Sequence, residues 1–265
     1  MLMGGATHIV PGKYKIPNGL SYIRLVQYFV MGICDREVAV HFPDGSSTDA
    51  VAQRLAALNI CEADSFYRYY HNPESVKRFG VKADSLIGYL LPGDYTFYEQ
   101  SPPSDIIDSM KQRFFAYFDK NKVELARNIG LSRYEVLKLA SIVEGETKRV
   151  SEMPTIAGVY LNRLKIGMKL QADPTLQFAK GGKWGRVDGQ VLKINSLYNT
   201  YKYGGLPPTP INNPGKAAIN AALFPLRHDY YFFVADGTGG HSFSHSYAEH
   251  RTKASAYIKR VYGHK

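Results

Sequence analysis

Residues 132–147 carry a full helix specification that ends on acidic side chains, and no other segment restricts the fold as strongly. Ser132-Arg133-Tyr134-Glu135 reads as a capping box, a hydroxyl and a carboxylate three residues apart that satisfy the free N–H groups of a helix start. Val136, Leu137, Leu139, Ala140, Ile142 and Val143 then gather on one face, so the helix must lie against a core. At about 100° per residue, Glu146 falls roughly 70° from the centre of that stripe on one side and Glu144 roughly 90° on the other. The two carboxylates therefore point apart, unless Gly145 breaks the helix between them. A carboxyl group at the edge of an apolar stripe tends to keep its proton near neutral pH, as an acid catalyst must. The alternative is a solvated helix end with two ordinary glutamates.

A chain of 265 residues can build a full core, and its length suggests two domains. With 45% apolar and 21% charged residues, and Gly and Pro scattered as turn punctuation, the composition excludes a disordered chain. The formal charge of +10 favours an anionic partner or simply a soluble surface. No dense basic block, zinc-finger spacing or ribonucleoprotein motif accompanies it, which argues against nucleic acid. Cys34 and Cys61 are the only cysteines and leave the redox compartment open. No stretch reaches the length of a membrane span and the N-terminus lacks the parts of a signal peptide, so the expectation is a cytosolic protein or a chain without its targeting segment.

Periodicity predicts helices over 22–31, 48–58, 65–70 and 106–118, a strand over 37–42, an extended piece over 14–17, and extended runs over 86–91 and 95–98 around Pro92-Gly93-Asp94. A polar stretch over 119–130 marks the expected domain boundary, between 122 and 123. Beyond it, helices are predicted over 154–165, 217–223 and 247–261 and a strand over 230–234, with 181–185 as a loop and 237–240 as a turn. Asp173-Pro174 reads as an N-cap acid followed by proline at the first helical position.

Four polar clusters exceed what packing needs: Asn162-Arg163, Gln171-Ala172-Asp173-Pro174-Thr175, Ser196-Leu197-Tyr198-Asn199-Thr200-Tyr201, and Gly240-His241-Ser242-Phe243-Ser244. Aromatic faces mixed with amides and hydroxyls suit a sugar ligand, although each cluster alone also has a structural explanation. A rival is metal binding by His241, His245 and His250 near Asp236 and Glu249, but the His-Glu-x-x-His signature is missing. No Gly-x-Ser-x-Gly elbow and no phosphate-cradling glycine loop is present.

The order of these motifs resembles one family, the YceG-like endolytic murein transglycosylases. The matching pieces are Ala140-Ser141-Ile142-Val143-Glu144-Gly145-Glu146-Thr147, the helix through Asn162-Arg163-Leu164, Gly167-Met168-Lys169-Leu170-Gln171-Ala172-Asp173-Pro174-Thr175, Tyr198-Asn199-Thr200-Tyr201, Gly205-Leu206-Pro207-Pro208-Thr209-Pro210-Ile211, and Tyr231-Phe232-Phe233-Val234-Ala235 leading to Gly240-His241-Ser242-Phe243-Ser244. Upstream, Gly88-Tyr89-Leu90-Leu91-Pro92 with Tyr95 is similar to the end of the family's LysM-like module. The resemblance implies an α+β fold: a small βααβ LysM-like module at about 37–100 within an N-terminal region 1–122, then a mixed α+β catalytic domain 123–265 with a lysozyme-like catalytic helix.

It also implies cleavage of peptidoglycan glycan strands within the chain, between MurNAc and GlcNAc, to leave a 1,6-anhydro-muramoyl end. Glu146 takes the role of the one acid and base, because Glu146-Thr147 is similar to the Glu-Ser/Thr pair of lytic transglycosylases. Glu144 is the alternative acid, since Gly145 stands where a charged residue is usual; Gly93-Asp94 likewise departs from the common Asp-Thr. The expected substrate-binding set is Asn162, Arg163, Gln171, Asp173, Thr175, Tyr198, Asn199, Thr200, Tyr201, His241 and Ser242, with no metal and no cofactor. Family resemblance places such a protein at the outer face of the bacterial inner membrane, held by an N-terminal anchor absent from this chain, with cell-wall synthases as candidate partners. The competing readings are a non-catalytic glycan-binding or scaffolding protein and a His-metal hydrolase.

Overall fold

The computed structural model describes residues 9–12, 14, 16, 21–32, 36–83, 85–182, 185 and 189–262, in which helices carry two small antiparallel sheets. Helix α1 (Tyr22–Val30), capped by Ser21, precedes strand β1 (Glu37–Phe42), whose Val40 and Phe42 face the core. Helices α2 (Thr48–Ala57), α3 (Ala63–Tyr70) and α4 (Pro73–Phe79) follow, and β2 (Gly93–Tyr98) returns antiparallel to β1 with Val40 opposite Tyr95. Next come α5 (Pro103–Tyr117), α6 (Lys120–Asn128), α7 (Arg133–Glu146), α8 (Met153–Lys165), α9 (Asp173–Ala179) and α10 (Lys216–Leu223). The hairpin β3 (Phe232–Ala235) with β4 (His241–Ser244), and helix α11 (Tyr247–Tyr262), close the chain. Among the described residues no helix is long and apolar enough to cross a membrane.

Helix α7 is the axis of the second half. Its capping box forms as the sequence predicts: the Ser132 hydroxyl accepts from the Glu135 N–H, and the Glu135 carboxylate accepts from the Ser132 N–H. Val136, Leu137, Leu139, Ala140, Ile142 and Val143 are wholly removed from solvent. Each buried aliphatic side chain contributes about 1.5–3 kcal/mol, so this one stripe fixes the rotation of the helix about its axis. α8 and α10 pack against it, and the helix runs through Gly145 without a break. Glu144 and Glu146 consequently stay on opposite flanks.

Several expectations need correction. Residues 86–91 are not a strand: Leu86, Tyr89, Leu90 and Leu91 are all buried, the Tyr89 N–H bonds to the Leu86 carbonyl as a turn, and Gly88 has φ +89°. A continuous apolar run signals burial on all sides and does not by itself signal a ladder. Three helices, not two, join β1 to β2; the third starts at the Asn72 cap with Pro73 in its first turn and stops at left-handed Gly80. The polar stretch after 118 is helix α6 capped by Asp119, and residues 122 and 123 lie inside it. Asp173 is the first helical residue of α9 and not its cap, a position held by Ala172. Cys61 is buried, whereas Cys34, residues 1–5, part of the 14–17 segment, and Lys183 and Trp184 of the 181–185 loop lie outside the described residues.

The β1–α2 turn joins the second half through Asn213, which is 1% exposed. Its backbone exchanges hydrogen bonds with Gly45 and Ser46 at 2.9 and 3.1 Å, its Nδ2 donates to the Ser46 carbonyl at 3.0 Å, and its Oδ1 accepts from the Gly88 N–H at 2.9 Å. Gly88 must be glycine there, because a Cβ would sit 2.7 Å from Pro210 Cγ on a backbone already in the left-handed region. Asn213→Ala strands the buried Gly88 N–H and weakens the Ser46 contact. Chemical denaturation is expected to show a loss of about 2–4 kcal/mol.

Candidate active site

The end of α7 opens into a cavity of about 410 Å³. Glu146, the last residue of that helix, is half-buried there, with Tyr160 of α8 beside it. The crossing of α7 and α8 aims the fully buried Tyr160 phenol at the carboxyl group, and its O–H donates to Glu146 Oε1 at 2.5 Å. Burial pushes the Glu146 pKa up from 4.5 to about 7; the Tyr160 hydrogen bond works against this, Asp173 adds to it by its negative charge, and Arg163 opposes it. The Tyr160 phenol is itself pushed well upward by burial and by Glu146, so it remains a donor. A protonated carboxyl group and a fixed donor at neutral pH are what acid catalysis requires.

Glu144 sits on the other flank. It is 2% exposed, accepts from the Gly215 N–H at 3.1 Å and meets Lys148 at 3.5 Å, with its Cγ close beside Gly45. Burial raises its pKa while the Gly215 and Lys148 contacts lower it. It braces the β1–α2 turn against the second half and does not line the cavity.

Arg163 ties three walls of the cavity together. Its Nε donates to the Tyr231 carbonyl at 2.6 Å and its Nη1 to the Leu170 carbonyl at 2.6 Å, while the guanidinium lies over the Phe232 ring. Gln171 adopts φ +49°, and its N–H bonds to the Thr200 carbonyl. That turn leads into Asp173, whose Oδ1 accepts from the Tyr201 O–H at 2.5 Å, and both residues line the cavity. His241 bonds Glu152 through Nδ1 at 2.8 Å and through its N–H at 3.2 Å, with Arg149 completing the pair.

The structure thus gathers Glu146, Arg163, Gln171, Asp173, Tyr201 and His241 around one space. Other expected ligand residues serve the scaffold. Asn162 Nδ2 donates to the His228 and Tyr230 carbonyls, and Asn199 Nδ2 to those of Leu192 and Ile194. Thr175 and Thr200 bond each other at 2.9 Å and hold Ala172, so they fix the Gln171–Asp173 turn from behind. Tyr198 bonds Thr209, and Ser242 stands opposite Val234 outside the cavity lining. The three histidines of the metal reading diverge: His241 pairs with Glu152, His245 with Asp229, and His250 stacks on Phe232. Among the described residues no group of His, Cys, Asp and Glu is placed to hold a metal ion.

Tyr160, Phe232, Phe233, Tyr247 and His250 also line the cavity and are not among the binding residues expected from the sequence. A signal existed for Tyr160, since a phenol on an otherwise aliphatic helix face needs a buried partner.

The profile of the YceG-like family matches residues 2–256. A Bacillus subtilis (strain 168) protein named endolytic murein transglycosylase is 38% identical over 96% of this chain and 74% of its own length. A Streptococcus pneumoniae (strain D39) protein of the same name is 27% identical over 88% of this chain and 48% of its own length. The crystal structure of a YceG-like protein from Listeria monocytogenes superposes with a TM-score of 0.74 at 28% identity, covering 93% of this chain and 85% of that one. Profile, sequence relatives and fold agree, and the chain belongs to the YceG-like family.

Proposed function

We propose that this chain is an endolytic peptidoglycan lytic transglycosylase, with Glu146 as its acid and then its base. The observation that carries the reading is the Glu146 carboxyl group, half-buried at the cavity floor, held by Tyr160 and pushed up to about 7. The names of the Bacillus and Streptococcus relatives support the substrate class. Glu146 donates its proton to the glycosidic oxygen as the bond from muramic C1 breaks. The carboxylate left behind then takes the proton of that sugar's own C6 hydroxyl, which closes on C1. No water enters the product, so the cut end is 1,6-anhydro.

Phe232 and Phe233 offer apolar surface to a pyranose face, while Arg163, Gln171, Tyr201 and His241 supply polar contacts around it. The N-terminal region 1–122, with β1, β2 and the helices between them as a LysM-like module, is read as glycan-facing, and 123–265 as the catalytic domain. Placement at the envelope, on the outer face of the inner membrane and within reach of cell-wall synthases, belongs to the same reading.

Wild-type protein incubated with purified, uncrosslinked glycan strands is expected to release fragments one water lighter than hydrolysis products. Folded Glu146→Gln is expected to release none; anhydro ends from that variant would remove Glu146 from the role.

Activity should fall as pH rises through about 7, where Glu146 loses its proton. Tyr160→Phe removes the hydrogen bond that lowers this pKa, so the descending limb should move to higher pH. Loss of positioning should reduce the rate by up to about 10²-fold.

Stability carries the same signature. Below pH 4.5 Glu146 is neutral in both folded and unfolded chains, whereas above about 7 the fold alone holds a buried charge. Native stability therefore declines across that window, by about 3 kcal/mol. Glu146→Gln is neutral throughout, so its thermal midpoint should exceed that of the wild type at about pH 8 and match it below pH 4.5.

A further inference from the structure

Two carboxyl groups face the same cavity, each held by a different tyrosine: Tyr160 donates to Glu146, and Tyr201 donates to Asp173. Their surroundings differ. Glu146 is half-buried with its pKa pushed up to about 7, while Asp173 is exposed at the cavity mouth. They are near enough that the negative charge of Asp173 helps to hold the Glu146 proton in place. The position of Asp173 is set by backbone ties and not by a flexible loop. Gln171 turns through the left-handed region, the Ala172 N–H donates to Thr200 Oγ1 at 3.0 Å, and Thr175 locks onto the same hydroxyl. Among the described residues only Asp173 Oδ1 is engaged, which leaves Oδ2 for a ligand.

We propose that Asp173 is a second catalytic carboxylate: it accepts the acetamido N–H of the muramic residue and turns the acetamido oxygen toward C1 while Glu146 protonates the leaving oxygen. This deepens the transglycosylase reading and rests on it. The steps balance without a co-reactant. The proton of Glu146 passes to the glycosidic oxygen as the C1–O bond breaks, and the acetamido oxygen bonds C1 to form an oxazolinium whose N–H remains on Asp173. The C6 hydroxyl oxygen then bonds C1, the bond from C1 to the acetamido oxygen breaks, and the hydroxyl proton goes to Glu146. A carboxylate already fixed in position beside a transient cation stabilises it without having to reorganise as the charge develops. Tyr201, kept protonated by burial and by Asp173 itself, serves as the positioning residue. Arg163 and His241 cannot take the role of Asp173, because the first is cationic and spent on carbonyls and the second is paired with Glu152.

The test compares wild type, Asp173→Asn, Asp173→Glu and Tyr201→Phe on purified glycan strands, with product mass and kcat separated from KM. It adds binding of N-acetylmuramic acid thiazoline, a stable mimic of the ring-closed intermediate, and binding of intact glycan fragments to Glu146→Gln with and without Asp173→Asn. Asp173→Asn is expected to lower kcat by about 10²-fold with little change in KM and to lose thiazoline affinity, while fragment binding holds. Asp173→Glu should recover part of the rate. Tyr201→Phe leaves the carboxylate in place and should lower kcat less, which keeps the proposal testable if Asp173→Asn does not fold. Wild-type turnover by Asp173→Asn would overturn the proposal, as would equal loss of thiazoline and fragment binding, which would mark a groove-shaping residue. Wild-type protein that leaves no anhydro ends would instead bring down the transglycosylase reading itself.

Discussion

The burial of one carboxyl group at the end of a core helix governs the rest of this structure. Burial strips water from a glutamate and penalises its charged form, so the group takes a proton, a donor, or both. Here Tyr160 supplies the donor and the pKa rises to about 7. That arrangement exists only because the aliphatic face of α7 is fully buried and holds the rotation of the helix. A slip of one residue would replace Glu146 at the cavity with Gly145.

Around this carboxyl group the fold separates two tasks that neighbouring residues could easily have confused. Glu144 and Glu146 are two positions apart, yet one accepts from the Gly215 N–H at the start of α10 with its Cγ beside Gly45, and the other faces the cavity. The same division recurs on the opposite wall, where Thr175, Asn199 and Thr200 build a rigid turn and Gln171, Asp173 and Tyr201 use it. Buried amides and hydroxyls of the first group make complete sets of internal hydrogen bonds, the condition for keeping such groups inside a protein. Arg163 belongs to both groups, since its guanidinium joins three walls and lends positive charge to the cavity they enclose.

Polar residues near a site in sequence are therefore poor guides to which of them meet a ligand. Asn162 and Asn199 look like sugar ligands by type, but their amides are consumed by backbone carbonyls that would otherwise be stranded. Tyr160 looks like packing by its helical register, but its hydroxyl needed a partner and found the acid. Asp173 reads as a helix cap beside a proline, and the cap is Ala172, which frees the carboxylate to face Tyr201.

Local rules were enough to place α7 with its capping box, to put Glu144 and Glu146 on opposite flanks, and to order the motifs that the YceG-like family shares. Those features depend on helical periodicity and on short-range hydrogen bonds, both of which are written into neighbouring residues. Tertiary structure alone decided that Glu146 and not Glu144 faces a cavity, because the walls of that cavity, α8, the Gln171 turn and β3, come from far along the chain. It also decided that residues 86–91 turn and do not pair, since an apolar run specifies burial but a ladder needs an available edge.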